Sequence, residues 1–494
     1  MDMIKIKREE MIRDFLSSWF ILGGLISSDT YKRTMWSADE SLSGTDAAYH
    51  LTFRKGLPEK GSGSGLIMAG HEWLLRQYFL RPLKRKDIRL AIEWYTSQSA
   101  VKAFPVKIFE ELLESADAED IYLPVDIWGF PGGQSFLSGV PCLSFEGIGG
   151  IVSFIEPQMC RYFGPVIHAT KGRLMFEAAG KKHAEFGYRA DPDEMMSIAK
   201  LLAIFVGNGG NPVLTSCDAA EFMFPDLFRS IGTIGHEFLS SFQTFSKDLG
   251  QAELEAMDAF VSGNGSASLL SDLVDSESVG MENAIKILKK YPDNDKIGIR
   301  IDSGDLAEQC VEYYFRLKNE GIDNRTIVFE DEVTPEKIGE VYSLFKEKTG
   351  MEPDILFPGA GGYYYRKFHR DTLSAAFKRS MTGEHPNIKF SNSPGKESIP
   401  GRIRVYEQDD LLVIADKSEN IDGNPLYVKL VENGRIINKE DMNFPAQAER
   451  AERTWRKYKK WIFSPCITEW KQQFKNMKDK ETDRIINNRT STDH

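Results

Sequence analysis

Cysteine is scarce in this chain. Its 494 residues hold five, Cys142, Cys160, Cys217, Cys310 and Cys466, scattered without a CxxC pair. That spacing argues against a zinc site and a disulfide framework and suits a reducing compartment, so a cytoplasmic location is expected. The eight histidines show no HExxH pattern, and a dedicated transition-metal site is not expected. Positive charge is in deficit: 62 Lys and Arg against 73 Asp and Glu leave a net charge of −11. An acidic chain is a poor general nucleic-acid binder, with local basic pockets still open to it. Long apolar runs are missing as well. The stretch from Trp19 to Ile26 is too short to span a bilayer, and it follows charged residues without a small-residue cleavage site. Neither a membrane span nor a signal peptide is expected, and no internal repeat is visible.

What is present is a globular composition, 41% hydrophobic and 27% charged, on a chain long enough for two or three domains. Residues 1–148 mix helical and extended patterns. The segments 72–80 and 108–114 have helical periodicity, while 123–128 and 141–146 are short strands joined by a turn at Pro131-Gly-Gly133. From about 149 to 385, strands alternate with helices: helix 192–206, helix 282–290, strand 297–301, helix 305–319, strand 326–330. Such alternation predicts parallel βα units. Residues 386–430 return to strands, clearest at 403–406 and 411–415, and are expected to join the N-terminal domain. Residues 446–478 look helical and charged, and the polar tail after about 479 is expected to fray.

The most informative segment is Ile297-Gly-Ile-Arg-Ile-Asp-Ser-Gly-Asp-Leu306. A β-branched run ends in acidic and polar groups just before a helical pattern restarts. In a βα barrel this is where chemistry is placed. Side chains alternate along a strand, so Arg300 and Asp302 share one face. The plainer reading of Asp-Ser-Gly-Asp is a turn with a helix N-cap.

Other candidates follow. The strand-like Leu356-Phe-Pro ends in Gly359-Ala-Gly361-Gly362, where missing Cβ atoms let backbone N–H groups approach a phosphate. In Glu185-Phe-Gly-Tyr-Arg189, Phe186 can stack on a planar ring and Arg189 can bind an anion, with Lys182 nearby in sequence. His236 follows the loop Gly232-Thr-Ile-Gly and is a candidate nucleophile or acid/base. Lys389-Phe-Ser-Asn-Ser-Pro-Gly-Lys396 is basic and turn-rich, and Ser28-Asp-Thr-Tyr31 offers an exposed aromatic. Each also has a plainer reading as turn, cap or core.

The order of these segments is more specific than any of them. Asp29-Thr-Tyr31, Phe145-Glu-Gly147, Ala169-Thr-Lys171, Phe186-Gly-Tyr-Arg189, Thr215-Ser216, Gly232-Thr-Ile-Gly-His236, Arg300-Ile-Asp-Ser-Gly-Asp305, Gly359–Gly362 and Lys389–Lys396 together resemble the nicotinate phosphoribosyltransferases, from about residue 20 to about 405. The resemblance implies an α/β fold: an irregular, TIM-like β/α barrel of type II phosphoribosyltransferases, a discontinuous N-terminal α/β domain and a C-terminal helical extension. It implies a homodimer with shared sites, in which Tyr31 of one subunit stacks on a pyridine ring opposite Phe186 of the other. By the same resemblance, Arg189 and Arg300 contact phosphate or the pyridine carboxylate, and Asp302 holds ribose hydroxyls with Asp305 nearby. Thr215 and Ser216 belong to the substrate site, and Gly361 and Gly362 cradle the 5-phosphate. His236 resembles the histidine that ATP phosphorylates in the family. Nicotinate, phosphoribosyl pyrophosphate, ATP and Mg²⁺ on the phosphates are the implied ligands, within NAD salvage. Ala190 stands where the family's nicotinate enzymes commonly have a second Arg and Glu221 where Gly is usual; Cys217 stands where the nicotinamide enzymes carry an amide-reading Asp, with Asp218 one place away. Phe-Gly-Tyr-Arg also leans toward the nicotinamide enzymes. A nicotinamide-using enzyme and a silent ligand-binding homologue therefore stay open as alternatives.

Overall fold

A computed structural model describes residues 28–59, 63–76, 79, 82–97, 106–115, 119–391, 396–438 and 443–492. The apolar stretch 19–26 lies outside them. The chain divides into two compact units, one from residues 1–170 and 368–494, the other from Lys171–Lys367. The sequence placed the divisions at 148/149 and 385/386. They fall elsewhere because strand Ala375–Thr382 pairs along its length with Asp46–Phe53 and so belongs to the first unit.

The first unit is built on a seven-stranded antiparallel sheet in the order His385–Pro386, Ala375–Thr382, Asp46–Phe53, Pro141–Ile148, Val125–Gly129, Val428–Glu432, Arg435–Ile436. Distant segments meet in one apolar layer, where the ring of Phe377 lies 5.3 Å from Tyr49 and 4.9 Å from Phe145. A second sheet of four strands contains Ile403–Gln408 and Leu411–Asp416. Its edge strand, Lys460–Phe463, corrects the expectation of unbroken helix over 446–478. Trp461, Ile462 and Phe463 supply the β-forming side chains that override the surrounding charge. The tail expected to fray continues instead as a helix, Pro465–Thr492.

The second unit holds the βα alternation. Seven parallel strands follow in chain order: β1 (Ala184–Glu185), β2 (Val213–Thr215), β3 (Phe228–Ser230), β4 (Ala267–Leu270), β5 (Ile297–Ile301), β6 (Ile327–Phe329) and β7 (Leu356–Ala360). Their hydrogen-bonded order is β3-β2-β1-β7-β6-β5-β4. That order is cyclic, so the sheet curls like a barrel, but no backbone ladder joins β3 to β4 among the described residues. A side chain bridges this seam: Thr233 Oγ1 accepts from the Ser268 amide at 2.8 Å and donates to the Ser268 carbonyl at 2.9 Å. The expected barrel is thus a curled parallel sheet with one seam.

Strand β5 shows how sequence sets the interior. Ile297, Ile299 and Ile301 are buried, and the alternate positions Gly298 and Arg300 line the cavity inside the curl. Gly298 also keeps strand spacing, because a Cβ there would stand 2.5 Å from the Thr326 carbonyl oxygen. The helix after β5 spans Leu306–Asn319.

Candidate functional site

The cavity within the curl measures about 660 Å³. Its wall is made by inward positions of neighbouring strands and by the loops after them: Ser216, Ser268, Arg300, Glu330, Phe357 and Phe186 among them. Small residues at the far ends of the strands, Ala267 and Gly298, let it run deep into the curl.

At the carboxyl ends of β4 and β5 the charged groups converge. Arg300 NH2 donates to Asp302 Oδ2 at 3.0 Å, and NH1 donates to the Ile234 carbonyl at 3.2 Å. Arg300 Nε lies 3.4 Å from Glu330 Oε2, near enough for an ion pair but not aligned as a hydrogen bond. His236 begins the helix His236–Ser241, with its side chain half exposed. Its Nε2 is 2.9 Å from Asp272 Oδ1, and its Nδ1 is 4.0 Å from Asp302 Oδ2. Ser303 Oγ donates to the other Asp272 oxygen at 3.0 Å. Asp272 therefore braces both the histidine and the loop after β5.

Glu330 follows β6, and its amide donates to the Ile301 carbonyl at 2.9 Å. Burial, opposed by Arg300 and Arg189 and helped by Asp302, pushes its carboxyl up to about 7. Directly after it, Asp331 and Glu332 both take left-handed φ values of 77° and 47°. Two such non-glycine residues in succession are uncommon and turn the chain sharply away from the strand end.

The loop after β1 carries Phe186 and Arg189 and is held from beneath. Lys200 Nζ, fully buried, donates to Glu185 Oε1 at 2.7 Å and to Asp191 Oδ2 at 2.9 Å. Glu185 also accepts from the Gly187 amide at 2.8 Å and from Thr215 Oγ1 at 3.2 Å. Tyr365 donates to Asp191 from the loop after β7. Burial raises the Glu185 carboxyl, with Lys200 pulling it back. Phe186 and Arg189 line the cavity above this network. The glycines after β7 allow close approach: a Cβ on Gly359 would stand 2.7 Å from the Phe186 ring, whereas one on Gly362 would meet nothing within 4 Å. Lys171 Nζ donates to the Tyr363 and Arg366 carbonyls at 2.8 and 2.6 Å and so fixes the loop that follows.

The structure thus brings together Phe186, Arg189, Ser216 and Arg300 on the cavity, with Asp302 and His236 bonded around Arg300 and Asp272. It puts other candidates to different use. Thr215 is buried and serves Glu185 and the Cys217 amide. Asp305 caps its helix, accepting from the Ala307 and Glu308 amides at 3.0 and 3.2 Å. Lys182 sits at the opposite end of β1, where Nζ donates to the Asp354 carbonyl at 2.8 Å. Glu221 accepts from the Ser230 amide and hydroxyl and from Arg229. Tyr31 is exposed on the helix Thr30–Ser37 of the first unit. Lys389 and Lys396 also lie in that unit, and residues 392–395 of their loop fall outside the described set.

The sequence reading missed Asp272, Glu330, Lys200 and Thr233. It also missed a cationic cluster in the first unit. Burial depresses the Lys378 ammonium, with Arg54, Lys32 and Lys389 adding to the effect and Glu156 opposing it. Lys378 and Arg54 line a separate cavity of about 310 Å³ there.

The mixed α/β fold with its curled parallel sheet is similar to that of two solved structures. Human nicotinic acid phosphoribosyltransferase superposes with a TM-score of 0.60 at 15% identity, over 90% of this chain and 99% of that one. Nicotinate-nucleotide pyrophosphorylase from Pyrococcus furiosus superposes with a TM-score of 0.60 at 16% identity, over 90% and 97%. Residues 185–389 match the nicotinate phosphoribosyltransferase (NAPRTase) family. Among curated relatives, nicotinate phosphoribosyltransferase pncB2 of Mycobacterium tuberculosis is 24% identical over 63% of this chain and 64% of its own length. Nicotinate phosphoribosyltransferase 2 of Arabidopsis thaliana is 23% identical over 77% and 73%. The match thus spans just under two thirds of the mycobacterial relative. No described helix is long and apolar enough to cross a membrane.

Proposed function

We propose that this chain is a nicotinate phosphoribosyltransferase acting in NAD salvage in the cytoplasm. In the reaction, the pyridine nitrogen attacks the anomeric carbon of phosphoribosyl pyrophosphate with its own lone pair. A C–N bond forms, the C–O bond to pyrophosphate breaks, and no general base is needed. The observation that supports this best is the convergence of Phe186, Arg189 and Arg300 on a cavity large enough for a base and a sugar phosphate, with Asp302 paired to Arg300. Phe186 stacks on the ring, Asp302 orients ribose hydroxyls, and Gly361-Gly362 gives the 5-phosphate access to backbone amides. Holding the two reactants in line supplies much of the acceleration. The carboxylate of Asp302 favours the cationic character that develops at the ribosyl carbon.

ATP coupling belongs to the same proposal. With the Nε2 proton directed to Asp272, the lone pair of His236 sits on Nδ1, the nitrogen facing Asp302. That nitrogen takes the terminal phosphoryl group as its bond to ADP breaks. Among the described residues no cluster of three or more acidic, His or Cys side chains suits a metal ion. Mg²⁺ is part of the reading as an ion carried on substrate phosphates next to Asp302, where it would neutralise the leaving pyrophosphate. A homodimer in which the partner subunit's Tyr31 completes the stack on the base is part of the reading. A second reading, nicotinamide as the base, is favoured by Glu330, an acidic group on the wall where a carboxylate ligand would lie.

The test is nucleotide formation from nicotinate with and without ATP, in wild type and His236→Ala. The expected outcome is ATP-stimulated product in wild type. The variant should show no ATP hydrolysis and slower, ATP-independent transfer. An unchanged ATPase in the variant would remove His236 from this role.

A further inference from the structure

A carboxylate approaching Arg300 meets two acidic side chains already beside it, Asp302 and Glu330. One N–H of NH1 goes to the Ile234 carbonyl, one of NH2 to Asp302, and Nε faces Glu330 at 3.4 Å. One guanidinium thus stands between two carboxylates on the cavity wall. No described residue donates a hydrogen bond to the Glu330 carboxylate, whose stem lies against the Phe186 site: a Cβ on Gly359 would stand 2.8 Å from Glu330 Cγ and 2.7 Å from the Phe186 ring. A planar base stacked on Phe186 would therefore lie beside Glu330.

We propose that Glu330 is the residue that selects the base, a step that rests on the pyridine-binding reading above. Ionised, the Glu330 carboxylate repels a pyridine carboxylate and accepts a hydrogen bond from a carboxamide N–H. Protonated, it donates a hydrogen bond to a pyridine carboxylate and releases Arg300 from one of its two acidic neighbours. The same pocket thus takes nicotinate in mildly acidic solution and shifts toward nicotinamide as pH rises.

The groups facing Glu330 support a change of state near neutrality. Arg300 and Asp302 act from the end of β5, Arg189 from the loop after β1, and Asp331 stands next in its own loop. From β7 the neighbour is Gly359, without charge. Burial outweighs the two cations, so the carboxyl titrates at about 7 rather than in the usual carboxylate range. Nicotinate keeps its own charge throughout the range from pH 6 to 8.5, so a change in preference there reports on the protein.

The experiment is calorimetric binding of nicotinate and of nicotinamide to the full chain at half-unit steps from pH 6 to 8.5, with kcat/KM for each base measured alongside. Wild type, Glu330→Gln and Glu330→Asp are compared. Taking the ratio of the two bases cancels titrations that affect both equally. In wild type the nicotinate-to-nicotinamide ratio should fall about tenfold between pH 6.5 and 8. In Glu330→Gln it should be flat, and Glu330→Asp should restore a slope. A flat wild-type ratio, or an equal slope in Glu330→Gln, overturns the proposal while leaving phosphoribosyl transfer standing. Absence of binding by either base at every pH overturns it together with the pyridine-binding reading.

Discussion

Two clusters in the second unit are made of the same parts. In one, Lys200 lies between Glu185 and Asp191; in the other, Arg300 lies between Asp302 and Glu330. The first is closed. Its three charged side chains are at most 1% exposed, and further hydrogen bonds come from the Gly187 amide, Thr215, Ser197 and Tyr365. The second opens on the cavity, with 14–21% exposure and a carboxylate that lacks such donors. One cation between two acids is therefore not a functional signature by itself. Saturation with donors makes the first cluster a fixed base for the 186–189 loop. Incomplete saturation leaves the second with groups for a ligand to satisfy.

Breaking the closed cluster should have the largest effect. Lys200→Met leaves two carboxylates buried without their cation, and it should lower unfolding free energy by about 3–5 kcal/mol, read by urea denaturation. Asp302→Ala should do the reverse. Its kcat/KM should fall by about 10²–10³, roughly 3–4 kcal/mol of transition-state stabilisation, with the denaturation midpoint little changed. If the two variants exchanged these phenotypes, the distinction between the clusters would be lost.

Glu330 sharpens the comparison through pH. A carboxyl whose folded pKa is raised above its unfolded value holds its proton better in the native state. The native protein therefore loses stability as pH rises from about 4.5 to about 7. Glu330→Gln cannot ionise, so it should be more stable than wild type at pH 8, by up to about 3 kcal/mol, with the gain fading toward pH 4.5. Thermal unfolding across that range checks both sign and window. The smallest effect is expected at Asp305. Loss of its cap in Asp305→Ala should cost about 1 kcal/mol, and Asp305→Asn should recover most of it. A far larger catalytic loss in Asp305→Asn would return that residue to the ligand site.

Local patterns explain what could be read from the chain alone. Ile297–Ile301 is legible because a β-branched run dictates a buried strand, and strand alternation then puts Arg300 and Asp302 on one face, where their ion pair is observed. The Phe186 and Gly359 segments are legible for the same reason, as unusual residues grouped over a few positions. Asp272, Glu330 and Lys200 are not. Each is an ordinary charged residue in its own segment and acquires meaning only when parallel strands or a packed helix bring it beside a distant partner. Thr233 was read as part of a loop, yet its role depends on Ser268, 35 residues away. Residues 375–382 were assigned to the wrong unit because their pairing partners lie more than 300 positions earlier.

The proposed role of the open cluster and its cavity is to join a pyridine base to a ribosyl phosphate. The most direct test supplies nicotinate, phosphoribosyl pyrophosphate and Mg²⁺ to wild type and to folded Asp302→Ala at pH 6.5, and measures nucleotide and pyrophosphate together. Equal yields of the two products from wild type, falling at least a hundredfold in the variant, are the predicted result. No nucleotide from folded wild type with nicotinate or with nicotinamide, or an undiminished rate in Asp302→Ala, would contradict the account.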